Sequence, residues 1–432
     1  MAVTLEHHGS VVGVRRGLSS RAAAEAYIGG VCFKLGPPLL IGAELEWLTA
    51  HSAYRRPGAV APRPPLDLVA AALGPYAPQT IAPASPARPL PGGSRVTIEP
   101  GGQIELSSAA CPDAARLCAR LDSDTRLLRQ LLGTKSIRLV WAAADTGRRP
   151  QRMLRLPRYH AMERYLGGIG PFGALMMCNT AATQVSVDAG TDPAELAARW
   201  QTLYMIGPAL LAAFARSPAL CGAPPGVWAS QRMRTWLRLD YARTRPPVQE
   251  WADPVSGYAR WALDAPLLCV RRPAPARQET DGECAWSAPP GATFADWISG
   301  ALDDEVGRRP GYDDLDYHLT TLFPPVRAAG HLEVRYLDAQ PGDSWSVPIR
   351  VIEALMSTSA VVRDASTLAA PTAGRWLDAA RHGLADPQIR TVATDLLETA
   401  AEHATTAAAP AIHAAARRCR AGRPPEESGD RA

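Results

Sequence analysis

Between Val96 and Ser107 two short alternating runs flank Pro100-Gly101-Gly102, and no other stretch limits the fold as much. Proline presets one turn dihedral and glycine admits positive φ, so the segment reads as a β-hairpin. Side chains alternate between the faces of a strand, so the loop length decides which of them share a face. A three-residue loop sets Glu99 opposite Gln103, Ile98 opposite Ile104 and Thr97 opposite Glu105, whereas a two-residue loop mixes Ile98 with Gln103. The first register segregates polarity. Ile98, Ile104 and Leu106 then face a core, and Thr97, Glu99, Gln103 and Glu105 share the other side. Two carboxylates on one sheet face repel each other, so a fold that keeps them needs a proton, an arginine or a cation between them. Oxygen ligands without His or Cys beside them suit Mg²⁺ or Mn²⁺ rather than zinc. For the hairpin in isolation, a solvated edge is the alternative.

Three further segments repeat the pattern. Over Leu40–Leu48, Glu44 and Glu46 share a face opposite Ala43, Leu45 and Trp47. After Leu175-Met176-Met177 the chain alternates Gln184, Ser186 and Asp188 against Val185 and Val187, and over His331–Asp338 it sets Glu333 and Arg335 against Leu332, Val334 and Tyr336. Helices are expected over Arg21–Ile28, capped by Ser19 or Ser20 and ending at Gly29-Gly30, and over Leu66–Leu73, Pro112–Leu132, Tyr159–Leu166 and Asp192–Phe214. Ser136–Ala143 reads as a strand, Gly167–Gly173 as a glycine-rich loop and Trp297-Ile298 as part of a hydrophobic strand or turn. Loops are expected at 51–65 and 273–290. The alanine-rich stretch Val347–Ala421 reads as helical, and 422–432 as a disordered polar tail. The arginines of Trp228–Arg243, interleaved with Trp236, form either an anion clamp or a snorkelling helix surface. The fold class is therefore α+β, an antiparallel sheet covered by helices, in a single domain over 1–421.

Composition narrows the function. A chain of 432 residues buries a large core, and a net charge of +4 with dispersed basic residues implies neither a nucleic-acid nor a membrane partner. Lysine occurs only at positions 34 and 135, and Gly133-Thr134-Lys135-Ser136 lacks the adjacent Gly-Lys and the upstream glycine of a P-loop. A nucleotide must therefore be bound without a Walker motif. Eight cysteines without a CxxC pair, no apolar run of membrane length, and Glu6, His7 and His8 in place of a hydrophobic leader point to a reduced, cytoplasmic setting.

Five ordered blocks carry a resemblance. They are Ile41-Gly42-Ala43-Glu44-Leu45-Glu46, the hairpin Glu99–Ser107, Met176-Met177 through Gln184–Asp188, Arg232 to Arg243, and Leu319–Arg327 followed by Leu332–Asp338. Together they are similar to the glutamate–cysteine ligases of the plant and bacterial type, within the glutamine synthetase-like carboxylate–amine ligases, and most of all to the actinobacterial branch serving ergothioneine synthesis. The resemblance implies a curved antiparallel sheet forming a funnel. Acidic side chains on its concave face would hold Mg²⁺ (or Mn²⁺) and the phosphates of ATP. It casts Glu44, Glu46, Glu99, Glu105 and Glu333 as metal ligands, with Gln184 as a neutral neighbour. Glu44, Glu46, Gln184 and Arg335 would meet the nucleotide. Arg232 and Arg335 would serve the reacting groups, and Arg232, Met177, Ser186 and Arg243 the amino-acid substrates. The implied reaction joins the γ-carboxylate of L-glutamate to the amine of L-cysteine through a γ-glutamyl phosphate; a related ligase with a different amine acceptor is the alternative. The chain departs from the family's usual pattern at Ser186, where asparagine is common, and at Thr244-Arg245, where Cys-Gly is common.

Overall fold

Among the described residues seven strands form one antiparallel sheet: β1 (Ile41–His51), β2 (Arg95–Ile98), β3 (Ile104–Ser107), β4 (Ile137–Val140), β5 (Ala182–Val187), β6 (Val326–Ala328) and β7 (Leu332–Asp338). Their order is β2-β3-β1-β5-β7-β6, with β4 paired to the far half of β1. The computed structural model describes residues 17–18, 20–37, 39–52, 60–245, 253–272 and 286–426. Residues 53–59 of the loop expected at 51–65, residues 273–285 of that expected at 273–290, and positions 427–432 of the expected tail lie outside the described residues.

The hairpin takes the three-residue loop. Thr97 pairs with Glu105 and Ile98 with Ile104, and the Glu99 N–H donates to the Gln103 carbonyl at 2.9 Å. Both turn glycines are required, for different reasons. Gly102 has φ +84°, and a Cβ on Gly101 would lie 2.4 Å from the Cα and the carbonyl oxygen of Cys178.

Register then assembles the polar face in rows. Thr97, Glu105 and Glu46 form one, Ser107, Glu44 and Gln184 the next, and Ser186, Glu333 and Arg327 the third. The reverse face is apolar: Ile98–Ile104–Trp47 and Ala43–Val185–Val334–Val326 lie in rows of their own, all buried. Burial of each large side chain contributes roughly 1.5–3 kcal/mol, so a one-residue slip, which exchanges the faces, is strongly disfavoured. Between β5 and β7 the register shifts around Gln184. Two residues of β7, Arg335 and Tyr336, oppose one of β5, which is a β-bulge. Arg335 stays on the polar face with Glu333, and beyond the bulge Leu337 turns to the core while Asp338 returns to the polar side.

The long helix Pro193–Phe214, capped by Asp192, backs the sheet; Tyr204 donates to the Val326 carbonyl and Tyr336 to that of Leu203. Several expectations change. The first helix is capped by Ser20 but runs on to Cys32 through Gly29-Gly30. Val255 Cγ1 lies 2.9 Å from where a Gly29 Cβ would be, so this glycine permits close helix packing rather than a stop. The glycine-rich stretch is mostly helical, with helices at Pro157–Ile169 and Phe172–Asn179, which puts Met176 and Met177 on a helix and delays the strand to Ala182. Trp297-Ile298 belong to the Phe294–Ser299 helix, started by a Thr293/Asp296 capping box. The tail begins as ordered chain: Gly422 and Arg423 donate to the Cys419 and Arg418 carbonyls. Among the described residues no helix is long and apolar enough to cross a membrane.

Candidate active site

The middle row holds the densest acidic chemistry. Gln184 Nε2 donates to Glu44 and to Glu46, both at 3.0 Å. Ser107 Oγ donates to the other oxygen of Glu44 at 3.2 Å, and the Ala182 N–H to the other oxygen of Glu46 at 2.8 Å. Thr97 Oγ1 donates to Glu105 Oε1 at 2.6 Å, while Glu105 Oε2 and Gln184 Oε1 are buried without a hydrogen-bond partner. Among the described residues no arginine bonds any of these three carboxylates directly. Burial, and after it the charge of Glu333, pushes the Glu44 carboxyl up to about 7. Burial and then Glu99 raise Glu46, and burial followed by Glu44 raises Glu105 well above the carboxylate range. Buried oxygens with unused lone pairs and raised carboxyl pKa values mark a place prepared for positive charge.

The third row behaves in the opposite way. Glu333 is fully buried, with one oxygen accepting from Arg327 Nε at 2.9 Å and Nη2 at 2.5 Å and the other from Arg335 Nη1 at 2.5 Å. Burial raises its pKa, but Arg327 and then Arg335 outweigh that and hold it at about 2. Glu333, expected among the metal ligands, has both oxygens accepting from arginines here, Arg335 on its own strand and Arg327 on the neighbouring one.

Over this face opens a cavity with about 550 Å³ of empty space, its mouth included. The walls bring together Glu46, Glu99 and Gln103 from the sheet, Arg335 from β7, and Arg232 with Trp236 from the Gln231–Leu237 helix. Residues 232 and 236 are one helical turn apart, so they share a face. The guanidinium carbons of Arg232 and Arg335 lie 5.9 Å and 5.3 Å from the Trp236 ring centroid, and Arg232 Nη2 donates to the Arg335 carbonyl at 2.8 Å. One indole thus braces two like charges that would otherwise repel. Ser230 caps this helix and donates to Asp338 at 2.9 Å, tying the helix to the end of β7. The arginine-rich stretch is therefore no snorkelling surface at 232, 234 and 243, all of which are buried.

Of the residues singled out in the sequence, Glu46, Glu99, Met177, Arg232 and Arg335 line the cavity. Glu44, Glu105 and Gln184 stand beside Glu46 on the same face, and Ser186 is half-buried opposite Glu333. Arg243 is not brought to the cavity. It is fully buried and bonds Asp240 and the Thr321 and Pro266 carbonyls, next to the loop before Phe323. Arg158, Tyr159, Met162, Met176 and Phe323 also line the cavity and were not assigned to it from sequence. Arg158 and Met162 are four apart on a helix opened by Pro157, a spacing that puts them on one face. Burial, then Glu99, raises the Tyr159 phenol, which places that carboxylate near the ring.

The donor set fits a divalent cation held by carboxylate and amide oxygens. Among the described residues no three His, Cys, Asp or Glu side chains converge tightly enough to grip a metal alone. Substrate phosphates would complete the shell, as is usual for Mg²⁺.

A model of glutamate–cysteine ligase family 2 (GCS2) matches residues 40–428. The chain is 36% identical over 389 residues to the glutamate–cysteine ligase EgtA of Mycolicibacterium smegmatis, covering 89% of this chain and 85% of that one. It is 34% identical over 397 residues to EgtA of Mycobacterium tuberculosis, covering 90% and 85%. Among solved structures, the glutamate–cysteine ligase of Francisella tularensis in complex with AMP superposes with a TM-score of 0.50 at 14% identity, over 90% of this chain and 82% of that one, a likeness of fold. The chain thus belongs to glutamate–cysteine ligase family 2.

Proposed function

We propose that the protein joins the γ-carboxylate of L-glutamate to the amine of L-cysteine at the expense of ATP, supplying γ-glutamylcysteine to the ergothioneine route that the actinobacterial resemblance implies. The observation that carries this reading is the polar face itself. Glu44, Glu46 and Glu105 stand together with raised pKa values, and Glu105 Oε2 and Gln184 Oε1 are buried without a partner, beside a cavity that also holds Arg232 and Arg335. Anionic and cationic groups are thus set side by side where triphosphate and carboxylates must meet.

A carboxylate is a poor electrophile until it gains a leaving group. An oxygen of the glutamate γ-carboxylate attacks the γ-phosphorus of ATP, the bond to the β-phosphate oxygen breaks, and γ-glutamyl phosphate and ADP result. The amine of cysteine then attacks the acyl carbon, inorganic phosphate leaves and the nitrogen gives up a proton. The protein needs no nucleophile of its own; positioning and charge stabilisation are its share. Glu44, Glu46, Glu99 and Glu105, with Gln184 between them, would hold divalent cations. Bound there, Mg²⁺ (or Mn²⁺) supplies charge neutralisation for the phosphates. Arg335, fixed by Glu333 and Trp236, and Arg232, braced on the same indole, present guanidinium groups to the transferred phosphoryl or the glutamate carboxylates. Their rigid bracing avoids reorganisation as charge moves.

The test is phosphate release from purified protein with ATP, Mg²⁺ and glutamate, with and without cysteine, and mass identification of the product. Cysteine-dependent release with a γ-glutamylcysteine product is expected. Stimulation by another amine but not by cysteine would transfer the reading to the related ligase with a different acceptor.

A further inference from the structure

Away from the catalytic cavity, the helix Ala409–Arg420 leaves a second hollow against the chain that follows β7. Ala411, Ala415 and Arg418 recur at helical spacing, so they share one face, and Phe214 and Val347 line the hollow with them. Two of the three are alanines, too short to fill the gap. What remains is a crevice with about 860 Å³ of empty space, its mouth included.

Four polar side chains also line it, each with bonding capacity left over. Arg418 is partly buried, and its Nη1 donates to the Arg423 carbonyl and its Nη2 to the Ala213 carbonyl, both at 3.0 Å. Both partners are neutral. Arg423 and Glu426 are exposed, and among the described residues neither they nor Arg418 form an ion pair. Burial lowers the Arg418 pKa, Arg423 adds to the fall and Glu426 opposes it, which puts both charges within electrostatic reach of the guanidinium. Gln340 is the fourth. It is 2% exposed, and its Nε2 donates to the Phe214 carbonyl at 2.9 Å and to the Asp338 carbonyl at 2.7 Å, two acceptors that settle which end of the amide is nitrogen. Its Oε1 has no hydrogen-bond partner among the described residues, so the donor it lacks has to come from what fills the crevice.

These groups select by charge. A simple anion suits Arg418 and Arg423 but meets Glu426, and a simple cation suits Glu426 and Gln340 but meets two arginines. A molecule carrying both a carboxylate and an ammonium satisfies all four, and the apolar wall favours a side chain without a third charge.

We propose that this crevice binds a free α-amino acid with a short aliphatic side chain, its carboxylate on Arg418 and Arg423, its ammonium on Gln340 Oε1 and Glu426, and its side chain against Phe214, Val347 and the alanines. The crevice shares no lining residue with the catalytic cavity, and the assignment does not depend on the ligase reading. The two places are nevertheless joined. Gln340 grips the Asp338 carbonyl, and the Asp338 carboxylate accepts from Ser230 and lies 3.8 Å from Arg232 Nη1.

Equilibrium dialysis of the purified protein against labelled L-valine reads the site. The competitors 3-methylbutanoate and 2-methylpropan-1-amine keep the branched side chain and lack the ammonium and the carboxylate, respectively. One saturable site per chain is expected, with a Kd of about 1 mM or below and each competitor at least about 10-fold weaker than valine. Arg418→Gln removes the cation, and Ala414→Trp fills the crevice from an exposed position that lines it. Each should weaken valine at least about 10-fold while circular dichroism shows the native fold. Should Arg418→Gln fail to fold, Ala414→Trp alone decides. Valine binding retained by a folded variant overturns the assignment. So does a competitor as tight as valine, and so does the lack of saturable binding up to about 10 mM.

Discussion

Glu44→Gln isolates what the polar face costs the protein and what it gains. Glu44 is 8% exposed, and its carboxyl is raised from 4.5 to about 7 by burial and by Glu333. At about 1.4 kcal/mol per pKa unit, keeping it ionised at pH 8 costs the folded state on the order of 3 kcal/mol. The sign follows from proton uptake. The folded state holds the proton through the window from 4.5 to about 7 in which the unfolded chain has lost it, so stability falls as pH rises through that window. Glutamine removes the charge and keeps the shape. Its oxygen accepts from Gln184 Nε2 and its amide meets Ser107 Oγ, which can accept but loses its own carboxylate acceptor, at a cost of about 1 kcal/mol. The net expectation in EDTA at pH 8 is a variant more stable than wild type by roughly 1–2 kcal/mol, with the gain shrinking toward pH 5. Added Mg²⁺ and ATP at about 100 times Kd should stabilise wild type by roughly 2.7 kcal/mol and leave the variant nearly unmoved. Guanidinium unfolding at both pH values, with and without Mg²⁺ and ATP, reads all of this. A variant less stable than wild type at pH 8 in EDTA, or one still protected by Mg²⁺ and ATP, refutes the reasoning.

Glu333→Gln should do the reverse, because it strips two buried arginines of their counter-charge; a loss of roughly 3–5 kcal/mol is expected, seen as a lowered thermal midpoint with or without Mg²⁺. Since the folded pKa of Glu333 is depressed to about 2, its contribution is present above 4.5 and fades as pH falls toward 2, so the variant should also lose the wild type's acid-side decline. Gly101→Ala drives a Cβ into the Cys178 backbone and should cost roughly 1–3 kcal/mol, whereas Gly30→Ala, with nothing within 4 Å in a helix, should stabilise by roughly 0.5–1 kcal/mol. Paired thermal melts check both, and equal effects at the two positions would contradict the close-approach account of the turn.

Much of the polar face was legible because it depends on periodicity. Residues two apart on a strand share a side whatever the strand's neighbours are, so Glu44 with Glu46 and Glu333 with Arg335 followed from alternation alone. The hairpin register followed from counting loop residues against polarity. What stayed hidden depends on partners distant in sequence. Nothing local to Glu333 shows that Arg327, on the adjoining strand, closes the second half of its carboxylate, or that a bulge at Gln184 turns Arg335 and Asp338 onto one side. Arg243 looked like a ligand because it lies in an arginine-rich run. Its guanidinium instead bonds Thr321 and Pro266, partners that the local run does not show. Arg158 was passed over for the opposite reason: its helix shows only a modest apolar stripe, and the cavity it faces exists only after seven separate segments have met. Gly29-Gly30 misled because glycine ends helices by propensity, whereas tight packing on Val255 calls for it in mid-helix.

In the proposed reaction, carboxylates from β1 and the hairpin gather on one sheet face to hold the cation that carries ATP. The most direct test of this is the anomalous scattering of Mn²⁺ in crystals grown with a non-hydrolysable ATP analogue. The account predicts anomalous peaks at coordination distance from oxygens of Glu44, Glu46, Glu99 or Glu105, between them and the phosphates. Phosphates and manganese found together elsewhere on the molecule, with those four carboxylates bonded only to protein, would contradict it.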